Sequence, residues 1–175
     1  MNDFIQSNLD YYEETQGILP SKLEDFGEEY REQGHLTRDQ LYDIAYESSV
    51  RSAHHVERNS KSTCVEVTEN VIELQGDDFS MMQLLTGLHG FKTPTASCVL
   101  AALNPSQHAV VDTRVWASLE RKGYFEERKE SFSTRDYVKM MRVIRDISSE
   151  TDYTCTDVGY ALFAYDDKVR EGTLH

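Results

Sequence analysis

The segment LHGFKTPTASCVLAALNPSQHAVVDTRVW, Leu88 to Trp116, decides how this chain is read. It holds three formal charges, Lys92, Asp112 and Arg114, inside a strongly acidic sequence. Leu88-His89-Gly90-Phe91-Lys92 has the form of a turn between two short helices, with Gly90 at the position that demands positive φ. Pro94 suits the first turn of the second helix, where its missing N–H is not needed. That helix ends at Asn104-Pro105, and Asp112 stands immediately before another, with Val115, Trp116 and Leu119 facing inward.

Outward from this segment the pattern stays helical. Leu23, Phe26 and Tyr30 recur at spacings of three and four. Thr37 and Gln40 form a capping-box signature ahead of the inner face Leu41, Ile44, Ala45 and Ser48. Ser62 to Leu74 fits helix or strand by periodicity, and its helical neighbours decide for helix. Gly76-Asp77-Asp78 is a break and cap before Phe79, Met82, Leu84 and Leu85. Ser133-Thr134-Arg135-Asp136 opens an amphipathic helix carrying Tyr137, Met140, Met141, Ile144 and Ile147. A last helix from about Cys155 places Val158, Ala161, Leu162, Tyr165 and Val169 on its inner face. The expectation is an all-α single domain over residues 1–175, of about eight short helices.

The 175 residues suffice to bury a core without staples. Three cysteines, Cys64, Cys98 and Cys155, lack paired spacing and read as reduced thiols. No apolar run reaches membrane-span length, and MNDFIQSNLDYYEE lacks an apolar stretch of signal-peptide length, which predicts a cytoplasmic protein without a membrane partner. The 31 acidic and 18 basic residues give a net charge of −13, which by itself argues against a nucleic-acid ligand. The acid excess is uneven. Residues 1–50 hold twelve acids and three bases, whereas residues 88–129 hold four acids and six bases. The acidity also resembles that of a salt-adapted cytoplasmic protein, whose self-repulsion a salty cytosol would screen.

A glycine turn leading into a helix leaves N–H groups free to bind an anion, and Lys92 would add charge there. The wider pattern, L-x-G-F, a helix of small residues, then V-V-D-T-x-V, resembles the helix-hairpin-helix DNA glycosylase superfamily. The match runs from Leu84 to Leu119, and the tryptophan of VVDTRVW is shared with the 8-oxoguanine branch. The resemblance implies that residues 84–119 grip a DNA phosphate through the hairpin (His89, Gly90, Phe91, Lys92, Thr93, with Arg114 nearby) and supply Asp112 as the catalytic carboxylate. Two departures qualify it. Lys92 replaces the usual second glycine. The nucleophilic lysine of bifunctional members, eighteen residues before the aspartate, is here Pro94, which has no amine. The implied enzyme is therefore monofunctional. An iron–sulfur cluster is excluded by the single cysteine near the C-terminus, and no cofactor is expected.

Breaking an N-glycosidic bond develops positive charge on the sugar, as in O-glycoside hydrolysis, and a carboxylate among Ala109, Val110 and Val111 would stabilise it in a low dielectric. Asp112 would also orient or deprotonate water, with the helix N-terminus holding it ionised. Aspartate before a helix is equally a preferred N-cap, so capping stands beside catalysis. Glu47, Arg51 and His55, at i, i+4 and i+8 on the Thr37 helix, would form either a base-edge contact or a solvated ion-pair face. His54-His55 has no partner at metal-ligand spacing, so no metal is expected. His89 meets a phosphate or solvent, and Trp116 suits the core or base stacking. The partner implied is duplex DNA with a modified base. The other readings are a non-catalytic DNA- or protein-binding module on the same fold, or an acidic protein-interaction domain. Base identity and oligomeric state are not encoded in any of these features.

Overall fold

A computed structural model describes residues 1–16 and 19–170, and among them there are ten α-helices and no strand. The helices are α1 (Asn2–Gln16), α2 (Leu19–Gln33), α3 (Arg38–Ser48), α4 (Val50–Ala53), α5 (Lys61–Glu73), α6 (Asp78–Thr86), α7 (Thr93–Leu103), α8 (Thr113–Arg121), α9 (Thr134–Ser149) and α10 (Cys155–Val169), with a 3-10 turn at His54–Arg58. Eight of them are the expected ones. The two additions are α1 and the four-residue α4. No helix among the described residues is long and apolar enough to cross a membrane.

Helix starts follow local chemistry closely. Thr37 and Gln40 close a capping box, and Ser133–Asp136 and Thr154–Asp157 repeat the device, each satisfying otherwise orphaned N–H groups. Helix α5 begins at its cap Ser60, so the Val-rich segment is helical as expected. Phe79 and Val169, assigned to inner faces, are instead exposed. Phe79 lies in the first turn of α6, and Met81 and Met82 supply that helix's inward apolar surface.

Two helices organise the packing. Helix α7 has no charged residue and is buried from Thr95 to Leu103, with α2, α3 and α6 against it. Arg31 of α2 closes its C-terminus by donating to the carbonyls of Ala102 and Leu103 at 2.9 and 3.1 Å. Helix α10 is contacted by α1, α8 and α9. A continuous apolar core joins both groups. The extended segment from His108 to Asp112 is pinned to each. Ser97 of α7 accepts from the Val111 amide at 3.0 Å, and Thr156 of α10 donates to the His108 carbonyl at 2.8 Å. Gly159 permits the closest approach, since a Cβ there would lie 2.9 Å from the Ala109 side chain and 3.1 Å from the Val110 carbonyl.

Candidate active site and hairpin

Asp112 is fixed at the head of α8. Its Oδ1 accepts from the amides of Arg114 and Val115, both at 2.9 Å. Its Oδ2 takes no donor among the described residues, and the residue lines a cavity of about 380 Å³. That volume falls in the range of small-molecule sites, roughly 300–1,000 Å³. The cap and the open oxygen thus occupy different atoms of one carboxylate. Burial pushes the Asp112 carboxyl above the ordinary aspartate range; the two capping amides and the Arg114 charge oppose the rise without cancelling it. The helix N-terminus was expected to hold the group ionised. Its amides do pull that way, and desolvation outweighs them.

The cavity lies where α1, α3, α7, α8 and α10 meet. Tyr12, Tyr160 and Phe163 form aromatic walls, and Glu47, Ser48, Pro94 and Cys98 come from α3 and α7. Tyr12 and Tyr160 stack with centroids 4.9 Å apart. The Cys98 thiol is pushed up to about 12 by burial, so it remains protonated and unreactive. No lysine, arginine or histidine among the described residues lines this cavity. Tyr12, Tyr160 and Phe163 were not anticipated from sequence, because nothing local reveals that α1 and α10 frame the Asp112 site.

The polar stripe Glu47, Arg51, His55 does not exist as a stripe. Ser49 adopts φ −162° and ψ 94°, ending α3 before the next residue of the periodic set. Glu47 remains at the cavity rim, paired with Lys22 at 2.5 Å. Arg51 and His55 fall on α4 and the 3-10 turn, both exposed and away from the cavity lining.

The hairpin turn has the expected form. Gly90 sits at φ +89°, and a Cβ there would meet Val56 Cγ2 at 2.8 Å and Val56 N at 3.0 Å. Asn59 clasps the turn, donating to the His89 carbonyl and accepting from the His89 amide, each at 2.9 Å. Lys92 is the extended residue before α7 and gives that helix no side-chain cap. No acceptor among the described residues takes the amides of Gly90, Lys92 or Thr93. The side chains of Lys92 and His89 are exposed.

Three hairpin-region assignments need correcting. Phe91 is 4% exposed and its amide is spent on the Leu88 carbonyl, so it is core. The Thr93 hydroxyl donates to the Phe132 carbonyl at 2.9 Å, leaving only its amide available. Arg114 pairs with Asp167 and lies over the Phe163 ring at 4.9 Å, which neutralises it for phosphate binding. Trp116 belongs to the core, stacked on Phe125 at 4.2 Å with its indole N–H on the Glu127 carbonyl at 2.8 Å.

The all-helical body that carries this cavity and hairpin has a DNA-glycosylase-like fold. The chain superposes on the 8-oxoguanine DNA glycosylase of Thermotoga maritima with a TM-score of 0.56 and 15% identity, over 93% of this chain and 94% of that one. The likeness is one of fold. No family model matches the chain, and neither does any curated protein sequence.

Proposed function

We propose that this protein is a monofunctional DNA N-glycosylase that hydrolyses the bond between a flipped modified base and its deoxyribose. The observation that carries the reading is the Asp112 carboxylate, whose Oδ1 is held by two amides, whose Oδ2 takes no donor among the described residues, and which lines the cavity. A base turned out of the duplex enters between the aromatic walls, with its sugar beside Oδ2. As the glycosidic bond breaks, positive charge grows on the sugar and the carboxylate stabilises it in a water-poor site. The same oxygen orients and deprotonates the attacking water, and the base leaves with the electrons of the broken bond. Pro94 and the absence of any amine along the cavity support hydrolysis without a lysine adduct. The free amides of Gly90, Lys92 and Thr93, with the Lys92 cation, are assigned to one DNA phosphate.

Further support comes from charge placement. Arg51, Arg58, Lys61 and Lys92 surround the hairpin, all exposed and without an ion-pair partner among the described residues. Arg135, Lys139 and Arg142 of α9 are likewise exposed and without an ion-pair partner among the described residues, so the hairpin holds one group of the unpaired cations.

The test is a screen of duplexes carrying uracil, hypoxanthine, 8-oxoguanine or alkylated bases, with alkali to reveal abasic sites and Asp112→Asn as control. Alkali-dependent cleavage that disappears in the variant supports the reading. Duplex binding that is unaltered at Asp112, with no cleavage of any substrate, favours the second reading, a non-catalytic DNA-binding module. The lysine in place of the second hairpin glycine favours a non-catalytic module, and the net charge of −13 favours one that binds protein in place of DNA.

A further inference from the structure

Tyr160 is 5% exposed, and its hydroxyl is one of two buried side-chain polar atoms without a hydrogen-bond partner among the described residues. The other, Asn8 Oδ1, belongs to an amide whose nitrogen is already satisfied by the Phe4 carbonyl. An orphaned hydroxyl inside a protein is unfavourable, because the group loses its water and gains nothing in return. Neither the proton nor the oxygen of this hydroxyl has a partner within hydrogen-bond distance among the described residues. The Cys98 thiol is directed at the Pro94 carbonyl, and the Tyr12 ring stacks on the Tyr160 ring. Burial raises the Tyr160 phenol well above the ordinary tyrosine value, with smaller contributions from Cys98, Tyr12 and Asp157, so the proton stays on the oxygen.

The residue also lines the Asp112 cavity, on the wall formed by α10. Tyr160 and Asp112 thus line one cavity, and Tyr160 also borders a second, of about 340 Å³, beside Thr154 and Asp157. We propose that Tyr160 is a specificity-determining residue whose hydroxyl donates to an acceptor atom, a carbonyl oxygen or ring nitrogen, on the edge of the base held in the cavity. This rests on the glycosylase reading for the site and adds the chemical requirement on the base. A ligand that completes the missing bond is favoured over one of the same shape lacking the acceptor, because the latter leaves the hydroxyl orphaned. The stack on Tyr12 fixes the ring, so the hydroxyl is preorganised before the base arrives.

Tyr160→Phe keeps the ring, the stack and the packing and removes only the oxygen. Two measurements are made on the full chain. Thermal unfolding without DNA is expected to give a Tm about 2–4 °C higher in the variant, since an unsatisfied group is lost. Binding of the free bases 8-oxoguanine, hypoxanthine and uracil, followed by ligand-observed NMR, is expected to weaken about tenfold, the value of one lost neutral hydrogen bond. A lower Tm in the variant, which marks a hydroxyl already bonded in the fold, overturns the proposal. So does unchanged base binding. The excision assay separates this failure from failure of the glycosylase reading. Excision with unaltered kcat/KM in Tyr160→Phe refutes the Tyr160 role and leaves Asp112 untouched. If the wild-type protein excises nothing, base binding that weakens in the variant upholds the Tyr160 contact alone, and no base binding in either protein refutes it.

Discussion

At the scale of a residue, Asp112 answers two demands whose energetics oppose each other. As a cap it satisfies two amides, and asparagine does this as well as aspartate. As an ionised group it is held in surroundings that raise its pKa, so the folded state is penalised for its charge at neutral pH. Asp112→Asn should therefore raise the Tm at pH 7. The sign fixes the window: the raised folded pKa means the penalty is complete above that value, and it fades as pH falls towards the ordinary value of 3.8. Thermal melts of both proteins from pH 3 to pH 8 check this, and the gain should vanish at the acid end. In the excision assay the same variant should lose about 10²- to 10⁴-fold in rate, the usual contribution of a general base. A variant that gains stability and loses turnover is what a buried catalytic carboxylate predicts; a pure cap in the same buried setting would show the stability gain alone.

His108 makes the converse case. It is buried with Nδ1 2.9 Å from the Tyr137 hydroxyl, and burial pushes its pKa down to about 4, partly offset by Asp78. The unfolded chain, with a histidine near 6.5, takes up a proton before the folded one does. Its stabilising effect is thus whole above about pH 6.5 and is lost progressively towards pH 4. Urea midpoints measured across that window should fall with pH in the wild type and fall less steeply in His108→Gln.

At the scale of elements, the hairpin is held from outside itself. The Gly90 turn rests on Val56, and the Asn59 side chain makes two hydrogen bonds to His89 and donates a third to the Val56 carbonyl. Gly90→Ala should cost about 1–2 kcal/mol from the left-handed conformation alone, and more from the contact with Val56. Asn59→Ala should cost about 2–3 kcal/mol through three lost bonds. Both variants should weaken duplex binding while leaving free-base binding in the Asp112 cavity, which neither residue lines, unaltered, and fluorescence anisotropy and ligand NMR would separate the two.

The same element explains what the sequence could and could not reveal. The hairpin glycine, Pro94, the capping boxes and the Asp112 cap were legible because each is settled within three or four residues. The α3 stripe misled because its period runs on through Ser48-Ser49, where an extended residue breaks the helix without glycine or proline to signal it. Asn59 and the cavity tyrosines act across 30 or more residues, so no local pattern announced them. Arg114 and Phe91 were placed at the DNA by proximity in sequence; one is spent on Asp167 and the other on the core.

At the scale of the molecule, the question is how a protein of net charge −13 approaches a polyanion. Long-range repulsion acts over the Debye length, about 8–10 Å in ordinary buffers, whereas a phosphate contact is made at the surface itself. Salt therefore has two opposing effects: it screens the repulsion from the acidic N-terminal third and displaces the DNA counterion advantage at the hairpin. A grip confined to the hairpin would use the exposed cations Arg51, Arg58, Lys61 and Lys92 and neutralise about four phosphates. Each contributes about −0.9 to the slope of log K against log salt, so such a grip gives at most about −3.6. Screening of the acidic surface should flatten the measured value to between about −2 and −3.6. Lys92→Glu and Lys61→Glu should each weaken binding to any duplex and reduce the slope by about one. Both expectations are checked by titrating an undamaged duplex from 25 to about 200 mM salt, a range chosen to span a few Debye lengths. A slope near zero, indifferent to both substitutions, would remove DNA from the account and leave the cationic patch to an acidic protein partner.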